Sequence, residues 1–239
     1  SAASDVYKRQ ALNLTSGSAT PEHILRYWPS DLKSKLRRWI AANILDGALS
    51  DINLYLRSAP NQNLRTHLGF LFRDARVKFL KTLPPLQDAV GYVTLTDARL
   101  VAGIEAGWVK AAQGGMIDTA GTTFVIPDTR IKPAPAEVGL IATSSLTAAL
   151  SILDEPPFRF VSKSKLRTQT MQGQAEVSAK FNFVLKKKLP PKQVLFEATG
   201  KITDFSSTAI IRDHRLSAEK ISLFLDPKGL RLSGAGLLD

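Results

Sequence analysis

The sequence predicts a mainly β fold with a few helices, built on a long antiparallel sheet that continues from one repeat unit to the next. Three observations carry this. First, Ala175, Val177, Ala179, Phe181, Phe183 and Leu185 alternate with Gln174, Glu176, Ser178, Lys180 and Asn182. That period of two gives a strand one apolar and one wet face, and it lasts for about twelve residues, roughly twice the usual strand length. Second, the same alternation returns along most of the chain and gives way to helical spacing in only two places. Third, the plan repeats. Shifting the chain by 130 residues lays Phe72–Arg73–Asp74 over Ile202–Thr203–Asp204, Val93 over Leu223, Leu95 over Leu225, Leu100 over Leu230 and Ala102 over Leu232. The turn at Asp97 then falls on Pro227. Each copy runs helix, strand pair, crossing segment, strand pair, which argues for a sheet shared between units, with a closed sandwich as the competitor.

Residues 1–10, "SAASDVYKRQ", resemble a translated sequencing-adapter remnant and are set aside as non-native. Residues 11–29 form a polar lead-in. A helix of about fifteen residues is expected next, with Ser30 as N-cap, Asp31 in the first turn, and Leu32, Leu36, Trp39, Ile40 and Ile44 on one face. Gly47 is its expected stop. Strands follow. One carries Ile52, Leu54 and Leu56, and the next carries Leu68, Phe70 and Phe72. A hairpin over 89–107 turns at Thr96–Asp97–Ala98 and presents Leu95 and Leu100. Residues 121–145 give a strand broken by prolines and a second one with Val138, Leu140 and Ala142. A short helix places Leu146, Ala149, Leu150 and Leu153 on one side and ends at "DEPPF". The final strands are expected at 174–186, 193–203 (with Val194, Phe196 and Ile202), 215–226 (with Leu223 and Leu225) and 229–238 (with Leu230 and Leu232). The units therefore span 30–142 and 143–239. The second is expected to be truncated, because "RLSGAGLLD" stops inside an alternating pattern.

The chain of 239 residues has a net charge of +11, or +10 without Asp5, Lys8 and Arg9. Such a balance favours anionic partners, and lipid surfaces and nucleic acid are the two classes to weigh. Nucleic-acid binding needs cations and exposed aromatics on one face, whereas Phe181 and Phe183 alternate with Lys180 and Lys186 on the other side of their strand. No nucleic-acid partner is expected. Lys186–Lys187–Lys188 sits at a strand end before "LPP", as a solvated turn would. The chain has no Cys, and His23, His67 and His214 have no neighbours at ligand spacing. Nucleophile elbows, P-loops and dinucleotide fingerprints are absent, so neither enzyme activity nor a metal or other cofactor is expected. Asp74 and Asp204 occupy equivalent repeat positions, where a turn or Asx cap between strands is the expected role.

Four phrases, "RYWPSDLKSKLRRWIAANILDGALSDINLYL", "LPPLQDAVGYVTLTDARL", "FVIPDTRIKPAPAEVGLIATSSLTAALSILDEPPFRF" and "ITDFSS", occur in an order and spacing that resemble the AsmA-like envelope proteins, most closely the large YhdP-type branch. The resemblance covers roughly residues 24–239. It implies a repeating β-groove similar to that of bridge-like lipid-transfer proteins, with the long twisted sheet curved into an open trough. It further implies a periplasmic protein of a Gram-negative bacterium, held in the inner membrane by an N-terminal helix that this stretch lacks. Its partners would be the acyl chains of transported phospholipid and the membranes at either end, with other envelope proteins possible. The implied role is phospholipid movement towards the outer membrane, supporting its integrity. The family carries no catalytic residues, so candidate lipid-facing positions come from alternation alone: Leu54, Leu56, Leu68, Phe70, Phe72, Leu95, Leu100, Val138, Leu140, Val177, Phe181, Phe183, Leu185, Val194, Phe196, Ile202, Leu223, Leu225, Leu230 and Leu232. The alternative is a non-enzymatic envelope scaffold whose apolar faces close on each other.

Overall fold

The computed structural model describes residues 10–27, 34–58, 65–156, 159, 162, 171–186, 189–190, 193–208, 210–211 and 214–239. Its strands are β1 (Gln10–Ala19), β2 (Ile44–Ser58), β3 (Arg65–Val77), β4 (Leu86–Thr96), β5 (Arg99–Lys110), β6 (Met116–Asp118) and β7 (Thr123–Ile126). They continue with β8 (Pro135–Ser145), β9 (Met171–Val184), β10 (Leu195–Ser207), β11 (Leu216–Asp226), β12 (Gly229–Gly234) and β13 (Leu237–Leu238). Among the described residues three helices, α1 (Pro21–Tyr27), α2 (Ser34–Asn43) and α3 (Leu146–Asp154), interrupt them.

All strands join one 13-stranded antiparallel sheet in chain order, a meander across eleven positions. β6 and β7 share one position, each paired with both β5 and β8. At ~4.8 Å between neighbours, such a sheet extends about 48 Å across its strands. The bounds of β3 and β10 lie 130 residues apart at both ends, and so do those of β4 and β11. One edge of the sheet gathers the turns at 97–98, 127–134 and 227–228, and the other gathers all three helices.

Several expectations are corrected. The polar lead-in contains β1, paired with β2 from Gln10↔Ser58 to Ala19↔Leu49, and then α1. Its Ser and Thr residues concealed a strand that can afford them at a sheet edge. Gln10 belongs to this strand although it closes the segment set aside above; residues 1–9 lie outside the described residues. The first long helix is shorter than its apolar spacing suggests. α2 stops at Asn43, and Ile44 and Gly47 belong to β2. The proposed cap residues Ser30 and Asp31 lie outside the described residues, as do Lys187 and Lys188.

Asp74 and Asp204 are not between strands. Each sits at a bulge within a strand, with φ of 53° and 52°, where the register shifts between Phe72 and Ala75 and between Thr203 and Ser206. Asp51 and Asp88 mark two further bulges in β2 and β4. Aspartate tolerates the left-handed backbone better than other non-glycine residues, and a bulge increases local twist and bend. Opposite Asp204–Phe205 stands Gly173, at φ 138°, where a Cβ would lie 2.8 Å from the Thr203 carbonyl oxygen. Gly107, at φ 150°, faces Ala89 beside the Asp88 bulge in the same way. The bulged strands thus need glycine neighbours.

α3 follows β8 without a loop. The Ser145 hydroxyl accepts from Ala148 N at 3.1 Å, capping the first turn, and donates to the Gly114 carbonyl at 2.7 Å. Thr147 Oγ1 donates to the Met171 carbonyl, and Gln113 N donates to Ser151 Oγ. These bonds fasten the helix to β9 and to the loop 111–115. Leu146 packs with Met171, Ala175, Ile202 and Phe205, while Ala148 packs with Ala111 and Ile117. A third cluster joins Phe72, Ala75, Leu86, Ala89 and Val109, with Ile152 of α3 against it. The buried core therefore lies along the helix edge of the sheet.

Candidate functional site

The register carries the sequence-predicted apolar positions from strand to strand in continuous rows. Leu54 pairs with Leu68, Leu68 with Leu95, Leu95 with Leu100 and Leu100 with Ile126. One step further in, Phe70, Val93, Ala102, Phe124, Val138, Phe181 and Phe196 follow one another across β3 to β10. A third row runs Leu140, Ala179, Ala198, Leu225 and Leu230, and a fourth runs Ala142, Val177, Gly200, Leu223 and Leu232. Ile202 stands between Ala175 and Ile221, Phe72 faces Gly91, Phe183 faces Ala136, and Leu56 faces Thr66. Paired residues project to the same side of a sheet and alternate residues share a side. Leu185 and Val194, one residue beyond β9 and β10, keep the alternation. Every candidate thus belongs to a single face.

Burial divides this face. Phe72 and Ile202, near the helix edge, are buried. Leu185, Leu230 and Leu232 are 42%, 57% and 58% exposed, and the remaining candidates are half-buried. A closed core would leave such residues under about a tenth of their surface, as it does for Phe72. Among the described residues, α3 packs on this face over β6, β8 and β9, and α1 and α2 contact β2. Towards the turn edge the rows of Leu54 and Phe70 have strand neighbours on either side, and among the described residues these side chains are only half-buried. Phe181 and Phe196 stack there with ring centroids 6.2 Å apart, so the apolar surface is continuous where two strands meet.

The other face carries most of the charged and polar strand side chains, together with the exposed Leu71, Ile141 and Leu195. Glu176 and Lys201 form a cross-strand pair at 2.9 Å, and Tyr92 covers Gly103. A shallow depression of about 390 Å³ lies among Thr123, Glu137, Ile141, Lys180 and Glu197, side chains of the polar face. Gly121 and Gly139, which have no side chains, also line it.

Asp128 accepts from Arg130 through both carboxylate oxygens, and this hydrogen bonding, with the guanidinium charge, lowers its pKa from 3.8 to about 2. Thr129 N donates to the Ala98 carbonyl and holds the 127–134 loop against the β4–β5 turn, where Arg65 pairs with Asp97 at 3.1 Å. Sequence reasoning missed the bulges and α3's role as a cover. The signals were an aspartate before a small or aromatic residue inside an alternating run (Asp74–Ala75, Asp88–Ala89, Asp204–Phe205), and a helix apolar on more than one side. No family model matches the chain, and neither a curated protein nor a solved structure is significantly similar to it.

Proposed function

We propose that this chain is part of a bridge-like lipid-transport protein of the AsmA-like, YhdP type, in which the apolar face is the floor of a groove that shields phospholipid acyl chains between two membranes. The observation that carries the reading is the half-buried apolar surface shared by strands β2 to β12 on one side of one sheet. Leaving it open to water has a thermodynamic consequence. An acyl chain laid on it recovers about 0.8 kcal/mol for each CH₂ removed from water, and movement along it breaks no covalent bond, so no catalytic residue is required. The bulges at Asp51, Asp74, Asp88 and Asp204 support a sheet that bends towards a trough. Strands of β9's length span about 45 Å at ~3.3 Å per residue, against about 15 Å for one leaflet's hydrocarbon, which leaves room for α3 and an acyl chain side by side. In this reading the protein works in the periplasm, anchored at the inner membrane, and supports outer-membrane integrity.

The competing reading is a scaffold whose apolar face is closed by a partner protein; the cover that α3 already provides favours it locally. Lipid extraction separates the two. Phospholipid should co-purify with the folded chain and be identified by mass spectrometry, whereas a scaffold would come out lipid-free.

A further inference from the structure

The repeat extends from strand bounds to individual backbone pairs. In the β11–β12 hairpin Leu225 pairs with Leu230, Leu223 with Leu232 and Ile221 with Gly234, each 130 residues beyond Leu95↔Leu100, Val93↔Ala102 and Gly91↔Ile104 of the β4–β5 hairpin. β12 is thus the counterpart of β5, but the outer sides of the two strands differ. β5 is joined there by β7, antiparallel, with Leu100 opposite Ile126, Val101 opposite Val125, Ala102 opposite Phe124 and Gly103 opposite Thr123. The corresponding residues of β12 are Leu230, Arg231, Leu232 and Ser233, and among the described residues β12 pairs with β11 alone. The difference shows in the leucines. Leu100, beside β7, is half-buried, whereas Leu230 and Leu232 are 57% and 58% exposed. Sheet edges are commonly blunted by proline, lysine or a bulge, and β12 has none of these. Its one charge, Arg231, lies over the Phe224 ring of β11, 4.5 Å from the centroid, and reaches towards Asp226.

We infer that the β12 edge is a strand-addition site for an extended peptide segment of another protein. The segment runs antiparallel to Leu230–Ser233 and sets apolar side chains opposite Leu230 and Leu232, as β7 does on β5. Main-chain hydrogen bonds supply the affinity, and the two apolar pairs fix the register. The rows through Leu225 and Leu223 then pass onto the added strand. Register and exposure carry the inference, so it stands whether or not the apolar face holds lipid.

The probe is a fluorescent peptide with the sequence of residues 119–130, which contains β7, titrated into the folded chain. Binding should slow amide exchange at Leu230–Ser233, read by hydrogen–deuterium exchange mass spectrometry, and leave exchange in β1 at the opposite edge unchanged. The same peptide N-methylated at Phe124 and Val125 should not bind. Consecutive N–H groups point to opposite sides of a strand, so one of the two removed is a hydrogen bond to β12. Leu230→Asp combined with Leu232→Asp should weaken binding roughly tenfold, with circular dichroism unchanged because both side chains are exposed. Leu195→Asp, at a 64% exposed position of β10, should bind as the wild type does. Absence of binding, protection away from β12, or equal binding of the methylated peptide would each overturn the inference. A chain that is already dimeric, with β12 protected and the dimer broken by the double variant, would overturn it by making a second copy the occupant.

Discussion

Phe181 and Lys180 are neighbours in sequence and opposites in consequence. Phe181 lies half-buried in the row from Phe70 to Phe196, while Lys180 points to the polar face across from Glu197. Phe181→Asp puts a carboxylate where an acyl chain would run, and an unpaired charge against hydrocarbon is costly. It should lower retained lipid by at least about tenfold while circular dichroism stays that of a folded sheet, because the position is not part of the buried clusters. Lys180→Asp should leave retention unchanged. Equal effects from both would mean that the two faces do not differ in lipid contact. Asp128 offers an independent check on the turn edge. Its folded pKa is depressed, so its pairing with Arg130 stabilises the loop fully above pH 3.8 and is lost as pH falls through about 2. The carboxyl resonance of Asp128 should titrate near 2, and Arg130→Ala should return it towards 3.8; an unchanged midpoint in the variant would assign the shift to another cause.

At the scale of elements, alternation located strands well and boundaries poorly. The β4–β5 hairpin turns at Asp97–Ala98 as its sequence suggests, and α3 starts at Leu146. Two kinds of element escaped. β1 is rich in Ser and Thr, and its strand character comes from pairing with β2, a long-range bond that local pattern does not encode. The bulges escaped because one extra residue inside a strand preserves the apolar pattern on either side and shows only as an aspartate with a left-handed backbone. α3 was visible as a helix, but its contacts with β6, β8 and β9 depend on which strands are neighbours, and that required the sheet order. Its anchoring is testable at Ser145, whose hydroxyl serves both the helix cap and the Gly114 carbonyl. Ser145→Ala should destabilise the chain by about 1–2 kcal/mol in chemical denaturation. A change below about 0.3 kcal/mol would mean that packing of Leu146 and Ala148 alone holds the helix.

Over the whole molecule, two stretches with matching strand bounds share one uninterrupted sheet, and the apolar face crosses the junction between them at β7, β8 and β9 without a break. The alternation that marked each candidate was legible strand by strand; their union on one face follows from register, which a shift of a single residue would have destroyed. What the sequence could not supply was the cover. It took the fold to divide the face into a part buried by α3 and a part left half-open. In the proposed function the half-open part holds lipid. The most direct measurement is native mass spectrometry of the full chain purified from membrane-containing cells, beside Phe181→Asp prepared identically. Mass additions that fragment as phospholipid are expected in the wild-type chain and should be depleted in the variant. A folded wild-type chain that carries no lipid, and takes up none from vesicles, would contradict it.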